Sequence, residues 1–331
     1  MPSLTHQEQF IHILKELVPG NVSLANEIAS VLNISMDSTY RRLRGETELT
    51  INEVVKLCHH FDVPLEALND QLPGVVTFKF TPVLDDEESF HAYLKGLYEE
   101  LNGLQKFENK RILFAAEDVP VFHHFSYPHL SAFKLTYWMK SILNVASLQN
   151  KHYHLNHIDA VLLETAKQAC LAYSRVPSTE IWTDETIMSN LKHIRFYWDA
   201  GFFTNREDAL LVIEDFREML KQVQRQVETG KKFTPEGTMT AVDYTFYLSD
   251  LMFGNNCVLI KADDKISSFI SYNSFNSMRT TNRFFNEQNE RWMNNLISKS
   301  TMLSGVAEKL RNQFFKSMFK KVDELIQYIN E

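Results

Sequence analysis

Residues 24–68 read LANEIASVLNISMDSTYRRLRGETELTINEVVKLCHHFDVPLEAL, and their apolar spacing sets the reading of the start of the chain. Ser23 stands where a helix N-cap belongs, and Leu24, Ile28, Val31 and Leu32 follow at helical spacing. Asn33 is one of the few residue types besides glycine that tolerates the left-handed backbone, so a turn is expected there. Ile34 would plug that turn into the core, Ala29 is small where two helices must cross closely, and Ser35 would cap the next helix, ending near Gly45. In that helix Thr39 and Leu43 face inward at i, i+4. Met36, Asp37, Tyr40, Arg41 and Arg44 are left pointing outward.

Outward from this stretch, Thr50 and Glu53 have capping-box spacing and open a helix expected to bury Val54, Val55, Cys58 and Phe61; Pro64–Leu68 gives a short fifth helix. Upstream, Thr5 and Glu8 form a second capping box. They open a helix over His6–Val18 with Phe10, Ile13, Leu14 and Leu17 on one face, ended by Pro19-Gly20.

IASVLNIS, STYRRLRGE and ELTINEVVKLCHHFDVPLEAL together resemble the Cro and phage-repressor (xenobiotic-response-element) helix-turn-helix family over about residues 6–70. That resemblance implies a five-helix, lambda-repressor-like domain and double-stranded DNA as partner. It implies base or phosphate contacts from Ser35, Met36, Asp37, Tyr40 and Arg41, and a backbone grip from Arg44 near the helix end. Asn33 stands where the family commonly has glycine. Asp37 would either accept from a cytosine amino group or favour the helix dipole.

The chain has 331 residues, 44% apolar and 23% charged, enough for two domains with a sizeable core. We divide it into 1–70, a Pro/Gly-marked linker at 71–74, and a larger domain over 75–331. The expected fold is mainly α with a mixed α/β part. Glycine is scarce, 10 residues, and neither glycine-rich phosphate motif occurs. Three scattered cysteines (Cys58, Cys170, Cys257) outline no disulfide frame or zinc cluster. No signal peptide and no membrane-length apolar run is evident, so a cytoplasmic protein is expected. The net charge of −8 divides unevenly: residues 1–70 hold five Lys+Arg against ten Asp+Glu, the rest 29 against 32. Three of those five cations sit within Arg41–Arg44, and local field matters more than total charge at a groove contact.

In the larger domain, Val75–Phe80, Ile112–Ala115, Cys257–Lys261 and Ile266–Tyr272 read as strands, the last two as a hairpin. Helices are expected over 88–107, 130–147, 157–174, 184–200, 206–229, 281–300 and 306–330. The last carries Phe314, Phe315, Met318, Phe319 and Val322, wider than one stripe, so its second side is expected to hold a twin chain in a homodimer, the alternative being that both sides meet the large domain's own helices.

Phe122, Phe125, Tyr127, Phe133, Tyr137 and Trp138 form an aromatic cluster, compatible with a pocket for a small-molecule or peptide effector, a core, or a dimer surface. His152, His154 and His157, with His123, His124 and His129 upstream, have chelating spacing, but loop histidines explain them equally and no metal or cofactor is expected. Asp85–Glu88 suits a helix N-terminus. No catalytic motif appears, so the leading reading is a DNA-binding transcription regulator that is not an enzyme. The alternatives are a protein-interaction module and an enzyme tethered to DNA.

Overall fold

The computed structural model describes residues 5–18, 23–61, 63, 65 and 74–331. The expected helix stop at Pro19-Gly20, most of the fifth helix and the linker residues 71–73 lie outside them. The chain divides into two compact units, Met1–Phe78 with Asn282–Phe285, and Lys79–Thr281 with Asn286–Glu331.

The N-terminal unit is a cluster of helices: α1 (His6–Leu17), α2 (Leu24–Leu32), α3 (Met36–Leu43) and α4 (Ile51–Phe61). The expected caps form. Thr5 and Glu8 exchange both capping-box bonds, Ser23 accepts from Asn26 N, and Ser35 accepts from Ser38 N. Phe10, Leu14, Ile28, Leu32, Leu57 and Cys58 make the core. Leu57, rather than Val55, is the residue that α4 buries completely.

The larger unit is built on a nine-stranded mixed sheet in the order β1-β8-β7-β6-β2-β3-β5-β4, with β9 also paired to β5. The strands are β1 (Lys79–Phe80), β2 (Lys110–Ala116), β3 (Ser178–Trp182), β4 (Lys231–Phe233), β5 (Met239–Leu248), β6 (Cys257–Ala262), β7 (Lys265–Ser271), β8 (Ser277–Thr280) and β9 (Thr301–Met302). The helices are α5 (Glu87–Gly103), α6 (Pro128–Thr136), α7 (Ala160–Ser174), α8 (Met188–Asp199), α9 (Arg206–Thr229), α10 (Arg283–Ser298) and α11 (Glu308–Asn330). β2, β3 and β5 run parallel, as their helical crossovers require. Period-two alternation sorts the two faces. Ile112 and Phe114 join the core under α5–α9 and α11, whereas Leu113 and Ala115 meet Met293 and Leu296 of α10.

Several expectations change. The β6–β7 hairpin forms, with Ala262 opposite Lys265 and Asp263 at φ 53 in the two-residue turn. Of the strand expected over 75–80, only Lys79 and Phe80 pair. β3, β4, β5, β8 and β9 carry no signal that the local pattern reveals. STEIW of β3 is buried on both faces and has a glutamate at its centre, so it shows neither alternation nor an apolar run. The helix expected over 130–147 ends at Thr136 and widens into a π turn over Tyr137–Ile142.

α11 packs into its own unit along much of its length. Phe314, Phe315, Met318 and Val322 are all buried within this unit, and Phe246 of β5 lies 5.8 Å from the Phe314 ring. α8 and α9 pack on the same helix. These four side chains are covered by their own chain, whereas Phe319 is half-buried and Leu310 is exposed.

Candidate functional site

In the N-terminal unit the exposed side of α3 is set by what holds its inner side. Asn33 adopts φ 54, ψ 51 at the end of α2, turning the chain within three residues. Thr39 is fully buried, its hydroxyl donating to Ser35 O at 3.1 Å, and Leu43 packs on the core. Ser35, Met36, Asp37, Tyr40, Arg41 and Arg44 therefore all lie on the exposed side. Tyr40 is 46% exposed.

The electrostatics of this surface depend on a residue that the sequence reading overlooked. Glu46, just beyond Gly45, takes two bonds from Arg44 at 2.6 and 3.0 Å and lies 4.0 Å from Arg41. The hydrogen bond and charge of Arg44 hold the Glu46 carboxyl below its usual pKa. Arg42 turns away to pair with Glu53 at 2.9 Å. Gln7 of α1 fixes the exit from α3: Nε2 donates to Arg42 O and Thr47 O, and Oε1 accepts from Leu49 N. A glutamine so far back in sequence carried no signal of this.

In the larger unit, a cavity of about 140 Å³ lies between α5 and the sheet. Leu97 and Leu101 of α5, Phe114 of β2, Val258 of β6 and Phe269 of β7 form much of its wall. Of the aromatic cluster, Phe122 and Trp138 line it. Phe125 and Phe133 are core residues, Phe133 stacked on Phe203. The Tyr127 hydroxyl donates to Gln222 Oε1 at 2.9 Å, and Tyr137 stacks on His193 at 3.9 Å.

At one end of the cavity stands an ion pair. Asp118 follows the carboxyl end of β2, where parallel sheets commonly place ligands. Its carboxylate accepts from Val119 N, Ser189 Oγ and Asn190 Nδ2, and lies 3.4 Å from Lys134 Nζ. Burial alone would raise its pKa, but Lys134 and the Ser189 hydroxyl hold it below the usual value. Lys134 also donates to Asn190 Oδ1 at 3.1 Å, which accepts from His124 Nε2 at 2.8 Å when that nitrogen carries the proton. Burial and the Lys134 charge push His124 down to about 3 and His193 to about 4, so both rings are neutral near pH 7. A lysine amid the apolar residues of α6 was the available clue.

A second buried centre is closed. Glu180 of β3 accepts from His123 Nε2 at 2.9 Å, Tyr173 OH at 2.6 Å and Trp182 Nε1 at 2.8 Å. Burial would raise its pKa, yet His123 and these bonds hold it at about 2. Lys232 donates to Tyr173 O at 2.9 Å and is lowered by burial to about 7. These groups satisfy one another and suit a structural network.

His152 and His157 bond to backbone carbonyls through Nδ1, and His154 Nδ1 accepts from Asn156 N. Among the described residues no three His, Cys, Asp or Glu side chains gather to hold a metal. Asp86 caps α5, the role expected within Asp85–Glu88. No helix among the described residues is long and apolar enough to cross a membrane. No family model, no curated protein and no solved structure matches this chain.

Proposed function

We propose that this chain is a sequence-specific DNA-binding transcription regulator whose α2, turn and α3 form a helix-turn-helix, with α3 as the reading helix. The larger unit serves as a sensing domain. The observation that carries the reading is the arrangement at Asn33–Thr39: a left-handed turn, a serine cap and a buried threonine fix α3 with Ser35, Met36, Asp37, Tyr40, Arg41 and Arg44 outward. That is the surface a recognition helix presents to base edges and phosphates. Tyr40 and Arg41 would reach bases, and Arg44 would exchange Glu46 for a phosphate.

One helix of this kind reads few base pairs, so two copies on half-sites about one DNA turn apart are expected. Genome-wide recovery of DNA bound to the tagged chain, followed by gel shifts of the recovered site across a salt series, tests the reading. Affinity should fall steeply as salt rises, because phosphate contacts release counterions.

A second reading has its own support. Arg41 and Arg44 on this surface are balanced by Asp37 and Glu46, and a surface without net charge suits a protein partner better than a polyanion. Loss of all binding to recovered and random duplexes at low salt would favour it.

A further inference from the structure

We propose that the cavity of the larger unit binds a small neutral molecule built on one aromatic ring and carrying a hydrogen-bond acceptor. Such a ligand would give the sensing half of the proposed function its chemistry. Only its biological use rests on that reading, because binding is independent of whether α3 contacts DNA.

Size limits the ligand first. The cavity measures about 140 Å³, and an apolar cavity of about 150 Å³ takes one benzene ring. The walls select the kind of ring. Phe114, Trp138, Phe269 and Phe275 line the space, with the Trp138 and Phe275 rings 5.4 Å apart, and aromatic pairs gain beyond their buried area.

The polar end then asks for an acceptor. Trp138 lends the cavity a ring face, since its indole nitrogen is sealed from the space. Lys134, on the same wall, places Nζ 5.7 Å from the Trp138 ring centroid. It bonds Asn190 and pairs with Asp118, and an ammonium has a third hydrogen to give. A carbonyl or ether oxygen here would meet the Lys134 ammonium. A carboxylate is disfavoured: Asp118 already balances Lys134, and a second anion in this buried place would stay unmatched. Entry is available beside Ser274, which lines the cavity and is exposed.

The test is calorimetric titration of the intact chain with acetophenone, toluene and benzoate. Acetophenone should bind, with toluene and benzoate each weaker by roughly tenfold, the worth of one net hydrogen bond or more. Toluene binding as tightly as acetophenone would overturn the acceptor site, benzoate binding more tightly would overturn the neutral class, and no heat from any probe would overturn the cavity itself. Lys134→Met keeps the stem and removes the ammonium. If its circular dichroism is native, acetophenone should fall to the affinity of toluene, and unchanged affinity would remove Lys134 from the site. If that variant fails to fold, the three-probe series on the unaltered chain still decides. A chain that binds acetophenone but no DNA leaves this site standing and sinks the regulator; one that binds DNA but no aromatic probe does the reverse.

Discussion

The charges of the α3 surface and those around the buried centres of the larger unit sit in opposite settings. In the N-terminal unit Arg41, Arg44, Asp37 and Glu46 are all exposed. In the larger unit Glu180, Lys232 and Lys134 are 0%, 1% and 3% exposed. A charge in water costs little to keep and gains little from pairing, so the α3 surface can exchange its partners. A charge inside must be matched where it stands, because an unmatched one costs several kcal/mol. The same residue types thus make an adaptable contact surface in one unit and fixed internal joints in the other. Net charge, −5 over residues 1–70, misses this difference.

The contrast breaks most severely if α11 is removed. A chain cut after Gly305 loses Phe314, Phe315, Met318 and Val322 from the core. One Phe→Ala change in a core costs about 3–5 kcal/mol, and a whole domain has only about 5–15 kcal/mol to lose. The larger unit should lose its near-ultraviolet circular dichroism and bind hydrophobic dye. A truncated chain that keeps both signals and only changes its sedimentation would return α11 to a dimer contact.

Next in size is the internal carboxylate. Glu180→Ala leaves the donors of His123, Tyr173 and Trp182 unmatched, and should cost about 3–5 kcal/mol in urea unfolding. Glu46→Ala, on the surface, should leave the midpoint unchanged. Equal effects from the two substitutions would erase the distinction between the units.

Acid should separate them again. His124 and His193 are lowered in the folded chain to about 3 and about 4, from an ordinary 6.5. Below pH 6.5 the unfolded chain takes up protons that the folded one refuses. Their contribution is therefore full above pH 6.5 and declines as the pH falls towards 4 and then 3. Glu180, lowered to about 2, adds a loss that begins as the pH drops through 4.5. Thermal unfolding between pH 8 and pH 4 should show the larger unit weakening from pH 6.5 downwards. A flat profile would mean these histidines are protonated in the fold.

The smallest effects belong to the α3 surface. Arg41→Ala with Arg44→Ala should lower affinity for a recovered operator about tenfold or more per effective contact, with the melting curve unchanged because both side chains are exposed. Glu46→Gln should act oppositely, freeing Arg44 to raise affinity a few-fold and to steepen the salt dependence by about one contact. Gel shifts measure both. A Glu46→Gln chain that binds more weakly would make Glu46 a positioning group for Arg44 rather than its competitor.

Much of the N-terminal unit was legible because its signals are local. Caps sit three residues from the groups they satisfy, and apolar spacing of three and four marks the inner face, so α1–α4, the Asn33 turn and the outward side of α3 could be read along the chain. Gln7 and Glu46 escaped because each acts on groups that pattern does not mark. In the larger unit the long helices and the β6–β7 hairpin were legible for the same local reasons.

By itself, then, the sequence determined which long segments are helical, where the N-terminal helices start, and which side of α3 is wet, since nearest-neighbour hydrogen bonding and periodicity decide those. Tertiary structure alone decided that STEIW is a central strand, that Phe314, Phe315, Met318 and Val322 of α11 belong to the core of their own unit, and that Asp118, Lys134 and Trp138 share one cavity with Phe269 and Phe275. The physical reason is range. Sheet order and cavity walls join residues more than 150 positions apart in the chain (Phe114 and Phe275 among them), and no local spacing rule carries that information.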